Sequence, residues 1–381
     1  MPDTRDGQHE FMLRGFTIGI TADRRWDEQA SLFERRGATV VHAPTIRTLP
    51  LGSDEHLKAA TAAVIARPPD VLIANTGLGI RSWVGAAESW GVDGDLLDAL
   101  SKTKTFARGP KASGAIHSLG LDVAARAPSE RLSEAVDLAL EHLGPGTMAA
   151  IQLDGSGTTS PEVERLRTSG ADVLEIPVYE WRLPDDPQPA VRLAEGVIAG
   201  RVHAVTFTTG PAVKNWMSIC AEHDLEVPLR DALVTRDVVV GCVGHVCADA
   251  AIASGLGPAN LVIPEKWRLG PLVRAVADQL VRRRVDVSLG GSPMSVAGNV
   301  ATVDDGEPIE LSDTEARLLR TLASRPDVVF AKSDLLATVW GDRSTDPHVV
   351  EVAIGRLRQR LGDHGSSIAS VYRRGYALRT A

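Results

Sequence analysis

Ile73-Ala74-Asn75-Thr76-Gly77-Leu78-Gly79-Ile80-Arg81-Ser82-Trp83 is a short apolar run, a polar turn and then the start of a helix. The same shape returns as Thr206-Phe207-Thr208-Thr209-Gly210-Pro211-Ala212-Val213-Lys214-Asn215-Trp216, at an offset of 133 residues. Residues 36–44 (RGATVVHAP) and 169–177 (SGADVLEIP) stand at the same offset, and Gly109 with Gly120 recurs as Gly244 with Gly255 at an offset of 135. Three ordered landmarks at nearly one spacing indicate a duplicated domain. The repeat is far longer than the ~20–50 residues of a solenoid unit.

Working outward, 16–21, 39–43, 71–74 and 204–207 are apolar runs of buried-strand type. Residues 27–36 have helical spacing, with Ala30, Leu32 and Phe33 on one side and Gly37 as a stop. Strands alternating with helices predict doubly wound α/β domains with parallel sheets. In such sheets ligands bind beyond the carboxyl ends of strands, where N–H groups at helix N-termini suit carboxylate or phosphate. The candidate cleft residues are therefore Thr76, Gly77, Gly109, Lys111, Gly155, Ser156, Thr208, Thr209, Gly210, Gly244 and His245. The same residues also serve ordinary turns and caps.

Composition agrees with this picture. The chain has 381 residues, 44% hydrophobic and 24% charged, which suggests several globular domains. No apolar run approaches the ~20 residues of a membrane span. Residues 1–14 mix both charge signs and read as a flexible tail without a signal-peptide layout. The three cysteines, Cys220, Cys242 and Cys247, give no disulfide framework and point to a reducing cytoplasm. Cys242, His245 and Cys247 lie close in sequence, but their spacing fits no standard zinc pattern. Buried free cysteine is the favoured reading and no metal is expected.

The duplicated region resembles the uroporphyrinogen-III synthase (HemD) family. The resemblance is carried by the segments around Thr76 and Thr209, by Gly109-Pro110-Lys111 and Gly244-His245-Val246, and by Pro177-Val178-Tyr179. It implies two interleaved α/β domains, one of residues 15–45 plus 183–285 and the other of residues 50–176. Segments 44–51 and 177–184 would be the crossover strands, and the ligand cleft would lie between the domains. It also implies closure of hydroxymethylbilane to uroporphyrinogen III, in tetrapyrrole biosynthesis, without metal or organic cofactor. Tyr179 stands where the family often places a cleft-facing tyrosine, a candidate catalytic proton donor; a half-buried aromatic is the other reading. The sequence also departs from the family. Its loop threonine is Ala112 in one unit and Cys247 in the other, and Asn75-Thr76 replaces Thr-Ser. Hydroxyls are thinned while the scaffold is kept, so a degenerate enzyme is favoured over an active lyase.

A break follows. Residues 286–299 contain Ser288-Leu289-Gly290-Gly291-Ser292-Pro293 and read as a linker. Beyond it come strands at 300–303 and 308–311, and Ser312 with Glu315 as a capping box. A helix capped by Ser333, a helix over 348–361 and a terminal hairpin complete the pattern. Residues 300–381 resemble the OmpR/PhoB-type winged helix-turn-helix. The match runs through Leu311-Ser312-Asp313-Thr314-Glu315, residues 333–341, Val350-Glu351-Val352-Ala353-Ile354-Gly355-Arg356-Leu357-Arg358 and Arg374-Gly375-Tyr376. Val350, Ile354, Leu357 and Leu361 form the expected core stripe, and Trp340 and Tyr376 are expected in the core. Val349, Ala353, Arg356 and Arg360 are assigned to the DNA face. Arg356 is the candidate base reader, and Arg358, Arg360, Arg373 and Arg374 are candidate phosphate contacts. The net charge of −8 hides a polarity. Residues 348–381 hold six Arg against Glu351 and Asp363, whereas 301–347 hold five basic residues against ten acidic ones.

The receiver domain that usually precedes such a module has acidic residues clustered after its first strand. Here that place reads Thr21-Ala22-Asp23-Arg24-Arg25 in a duplicated pair, so phosphorylation is not the expected switch. The expected function is a DNA-binding transcriptional regulator with a ligand-sensing or partner-binding synthase-like region. Fused regulators of this architecture suggest nitrate and nitrite assimilation genes. The expected partners are double-stranded DNA, bound by a homodimer, a small anionic ligand or tetrapyrrole, and a co-regulator protein; no membrane is involved. An active uroporphyrinogen-III synthase carrying a DNA-binding domain is the alternative.

Overall fold

The computed structural model describes residues 12–50, 55–154, 160–304, 306–341 and 346–381. The chain divides into two compact units, Arg47–Leu183 and a second made of Met1–Ile46 with Pro184–Ala381.

Unit Arg47–Leu183 is built on a six-stranded sheet in the order Arg47–Pro50, Asp172–Arg182, Met148–Asp154, Val71–Ala74, Lys104–Ala107, Ala125–Arg126. All neighbours are parallel except the first pair, which is antiparallel. The segments expected as crossovers thus supply this antiparallel edge, with Arg47 opposite Arg182 and Pro50 opposite Tyr179. Val71–Ala74 is buried at every residue, as a central strand covered on both faces requires. Trp83, on the helix Gly77–Ser89, is fully buried and donates its indole N–H to Thr61 Oγ1 at 2.9 Å.

The other unit holds a five-stranded parallel sheet in the order Leu261–Val262, Val239–Cys242, Ala204–Phe207, Thr17–Ile20, Thr39–His42. Trp216, on the helix Gly210–Glu222, is the buried counterpart of Trp83 and donates to Ala190 O at 3.1 Å. The tail expected over 1–14 is shorter than read. Leu13 is fully buried in this domain's core, and its N–H bonds Arg36 O at 2.8 Å; residues 1–11 lie outside the described residues.

The stretch expected as a linker is a β-hairpin. Val285–Leu289 pairs antiparallel with Ser292–Ala297, which continues to Val300–Val303 and Ile309–Glu310 in a four-stranded sheet. Gly290 and Gly291 have φ of 58° and 87°. Two consecutive positive φ values make the two-residue hairpin turn that glycine supplies best. Gly-Gly beside Ser-Pro therefore marks a turn within the C-terminal domain.

Asp313–Ala323 is the first helix after this sheet. Both halves of the Ser312/Glu315 capping box are formed. Lys332–Leu335 runs into a π-type turn at Leu336–Trp340, and its N-cap is Ala331, so Ser333 lies inside the helix and does not cap it. His348–Arg360 follows, and Ile368–Val371 with Gly375–Leu378 forms the wing. Val350, Ile354, Leu357 and Leu361 join one buried core with Leu318, Leu319, Leu322 and Tyr376, and Trp340 packs against it. Among the described residues no helix is long and apolar enough to cross a membrane.

Candidate functional site: strand-end loops and a nucleic-acid interface

In unit Arg47–Leu183 the adjacent parallel strands Val71–Ala74 and Lys104–Ala107 bring Thr76 and Gly77 beside Gly109 and Lys111. The loops touch, since a Cβ on Gly77 would overlap Lys111 O. Thr76 is engaged as an N-cap and accepts from Gly79 N–H at 2.9 Å. Arg108, a residue the sequence reading passed over, donates to Asn75 Oδ1 at 2.7 Å and ties the two loops together. Burial pulls its pKa down, against the charges of Tyr179 and Glu130. The available signal was its position, a basic side chain directly before the Gly109-Pro110 turn. Gly155 and Ser156, after Met148–Asp154, lie outside the described residues.

Tyr179 is a core residue rather than an open cleft group. It is 1% exposed and packs on Trp181 with ring centroids 5.3 Å apart. It lies at a register shift at Leu153/Asp154, where Pro177 pairs with Leu153 and Tyr179 with Asp154. Val178 is the extra residue, and it and Tyr179 are both buried.

In the other unit, Ala204–Phe207 and Val239–Cys242 are likewise parallel neighbours. They bring Thr208, Thr209 and Gly210 beside Gly244 and His245. Thr209 Oγ1 is buried and has no hydrogen-bond partner among the described residues. Gly244 sits under Trp267, where a Cβ would come within 3.2 Å of the indole, and the exposed His245 meets that ring edge-on at 5.2 Å. The thiols of Cys220, Cys242 and Cys247 are free and buried. A hydrogen bond with Cys242, and then burial, push the Cys247 thiol well above the usual range; burial pushes Cys220 up to about 12. Among the described residues no group of His, Cys, Asp or Glu is arranged to hold a metal ion.

The helix His348–Arg360 corrects part of the expected DNA face. Ala353 is buried in the core and Val349 is half-buried against it. Val350, Ala353, Ile354 and Leu357 follow i, i+3, i+4, i+7, so the apolar stripe is wider than the four residues first assigned. Arg358 is also not a free phosphate contact. Its guanidinium donates to Ile368 O and to Ser370 Oγ at 2.9 Å and lies 5.9 Å from the Tyr376 ring centre, pinning the helix to the wing. The exposed face presents His348, Glu351, Val352, Gly355, Arg356, Gln359 and Arg360, with Glu351 ion-paired to Lys332. The wing tip adds Arg373 and Arg374, with Arg373 5.0 Å from the ring of Tyr372, which is 81% exposed.

A doubly wound α/β scaffold with paired strand-end loops, followed by a winged helix, defines a synthase-type region joined to a DNA-binding domain. The family model of uroporphyrinogen-III synthase HemD matches residues 27–274, and that of the transcriptional regulatory protein C-terminal domain matches residues 306–378. The chain belongs to the uroporphyrinogen-III synthase HemD family, and its C-terminal domain is of the OmpR/PhoB DNA-binding type. It is 25% identical over 266 residues to the uncharacterized protein YjjA of Bacillus subtilis (strain 168), covering 70% of this chain and 96% of that one. It is 36% identical over 84 residues to the uncharacterized transcriptional regulatory protein YcbL of the same organism, covering 21% of this chain and 37% of that regulator's length. A mutant uroporphyrinogen III synthase from the extremely thermophilic bacterium Thermus thermophilus superposes with a TM-score of 0.55 at 30% identity, over 69% of this chain and 99% of that one.

Proposed function

We propose that the protein is a DNA-binding transcriptional regulator whose synthase-like region serves as a ligand-sensing or partner-binding module. The carrying observation is a contrast in completeness. The winged helix has a closed core and an exposed face that carries Arg356. In the synthase-like region, Thr76 is occupied as a cap, Tyr179 is buried, and Ala112 and Cys247 stand where hydroxyls would be. The strand-end loops, with the orphan Thr209 hydroxyl, suit a small anion. Analogy with fused regulators of this architecture supports nitrate and nitrite assimilation as the biological setting, with a homodimer on repeated half-sites as the proposed DNA-bound form.

The test is salt-dependent DNA binding by the full chain, at a site selected from random or genomic DNA. Arg356→Ala should cost about 1–3 kcal/mol at that site. Arg374→Ala should weaken all sequences alike and reduce the salt slope by about one. A full chain without salt-dependent DNA binding overturns the reading. Overlap with nearly the whole Thermus thermophilus synthase supports a second reading, an active cyclase carrying a DNA-binding domain. Conversion of hydroxymethylbilane to uroporphyrinogen III at steady turnover would establish that one instead.

A further inference from the structure

Outside the strand-end loops, a cavity of about 410 Å³ lies where the five-stranded α/β domain meets the first helix of the winged helix, Asp313–Ala323. Both sides belong to one compact unit. Arg236, the C-cap of helix Glu226–Thr235, enters from the α/β side; Arg317 and Arg320 enter from Asp313–Ala323. Asp313 is ion-paired with Arg236, and its negative charge also acts on Arg317 and Arg320. Asp237 also lines the cavity but is held by Arg283, with a contact of 2.8 Å.

The arrangement is short of negative charge. Three cations face one carboxylate, and the Arg236 and Asp313 side chains are only 24% and 16% exposed, so water screens them poorly. Burial pushes the pKa of Arg317 and of Arg320 down; Asp313 opposes the shift for both, and each is lowered further by an arginine neighbour. His203 adds no charge, since burial and then Arg320 push it down to about 4. The guanidinium groups are also held in place. Arg317 donates to Thr338 O at 3.0 Å and Arg320 to Gly298 O. A guanidinium carries five N–H donors, so each anchored group keeps donors for a ligand. The Thr321 and Ser324 hydroxyls line the same space.

We infer that Arg236, Arg317 and Arg320 form a binding site for a small dianionic oxyanion, a phosphate or phosphate monoester, at the junction of the α/β and winged-helix domains. Two uncompensated positive charges set the charge of the ligand. The fixed forks of three arginines suit tetrahedral oxygens better than a point charge. The cavity exceeds a bare phosphate, which favours a monoester. Such a ligand would cross-link the two domains through groups that now repel each other. The site does not depend on the DNA-binding reading, and its test uses no DNA.

The experiment is calorimetric titration of the full chain with inorganic phosphate, with a nucleoside monophosphate and with chloride at matched ionic strength. Saturable binding of phosphate or the monophosphate, but not chloride, is expected, and the tighter of the two distinguishes free phosphate from an ester. Arg317→Gln and Arg236→Gln should each weaken it about tenfold or more. Asp313→Asn removes the competing carboxylate and should tighten binding severalfold, which damage to the fold would not do. Equal affinity in wild type and both arginine variants, no saturable binding, or weaker binding in Asp313→Asn would each overturn the inference.

Discussion

The loop after Val71–Ala74 and the loop after Ala204–Phe207 come from one repeated pattern, yet their hydroxyls meet different fates. Thr76 caps the helix it precedes, whereas Thr209 holds the same N-cap position over Gly210–Glu222 with its hydroxyl buried and unpartnered among the described residues. Beneath them the indoles of Trp83 and Trp216 are both fully buried and both hydrogen-bonded. Duplication has thus kept the packing that makes the α/β fold and let the loop chemistry drift. The difference teaches that a shared strand–turn–helix outline does not by itself specify what its turn binds.

The largest expected effect tests the likeness. Trp83→Ala and Trp216→Ala should each cost about 3–5 kcal/mol, because each removes a fully buried indole and leaves a cavity. Denaturant unfolding followed by circular dichroism measures both. A cost for one several times that for the other would break the claim that the two cores are equivalent.

The glycines come next and should separate the copies. A Cβ on Gly77 meets the Lys111 carbonyl, which is backbone and cannot rotate away, so Gly77→Ala should cost about 1–3 kcal/mol. A Cβ on Gly210 meets the Ala250 methyl at 3.2 Å and Val246 O at an ordinary 3.5 Å, and the first helical turn gains from alanine; Gly210→Ala should stay within about 1 kcal/mol. The reverse order in melting temperatures would place the tighter loop contact in the wrong copy.

What the sequence disclosed was set by local signals. The capping box at Ser312 and Glu315 and the stripe Val350/Ile354/Leu357/Leu361 join residues three or four apart, and each is where its spacing put it. Gly290-Gly291 misled because linkers and two-residue hairpins share a composition. Only the pairing of Val285–Leu289 with Ser292–Ala297 tells them apart. Tyr179 is buried beside a register shift against Leu153 and Asp154, which no spacing within the strand reveals. The arginine cavity was less legible still, since Arg236 and Asp313 meet across 77 residues and two domains. Arg358 looked like its neighbours until the wing supplied Ile368 O and Ser370 as partners.

The smallest expected effect on stability carries the most information about ligand binding. Valine keeps the shape of threonine and removes its hydroxyl. At Thr76 that change deletes the acceptor for Gly79 N–H, the usual loss of a cap, and should cost about 1 kcal/mol. At Thr209 it deletes a buried hydroxyl with no partner among the described residues, so stability should be unchanged or slightly raised. If the second loop kept its hydroxyl for a ligand, Thr209→Val should leave the melting curve alone and abolish ligand-induced stabilisation, while Thr76→Val shifts the curve and leaves that stabilisation in place. Thermal melts of both variants with and without added small anions read all four outcomes. A destabilisation of Thr209→Val equal to that of Thr76→Val would show that its hydroxyl serves the fold after all, and the two loops would then differ in outline only.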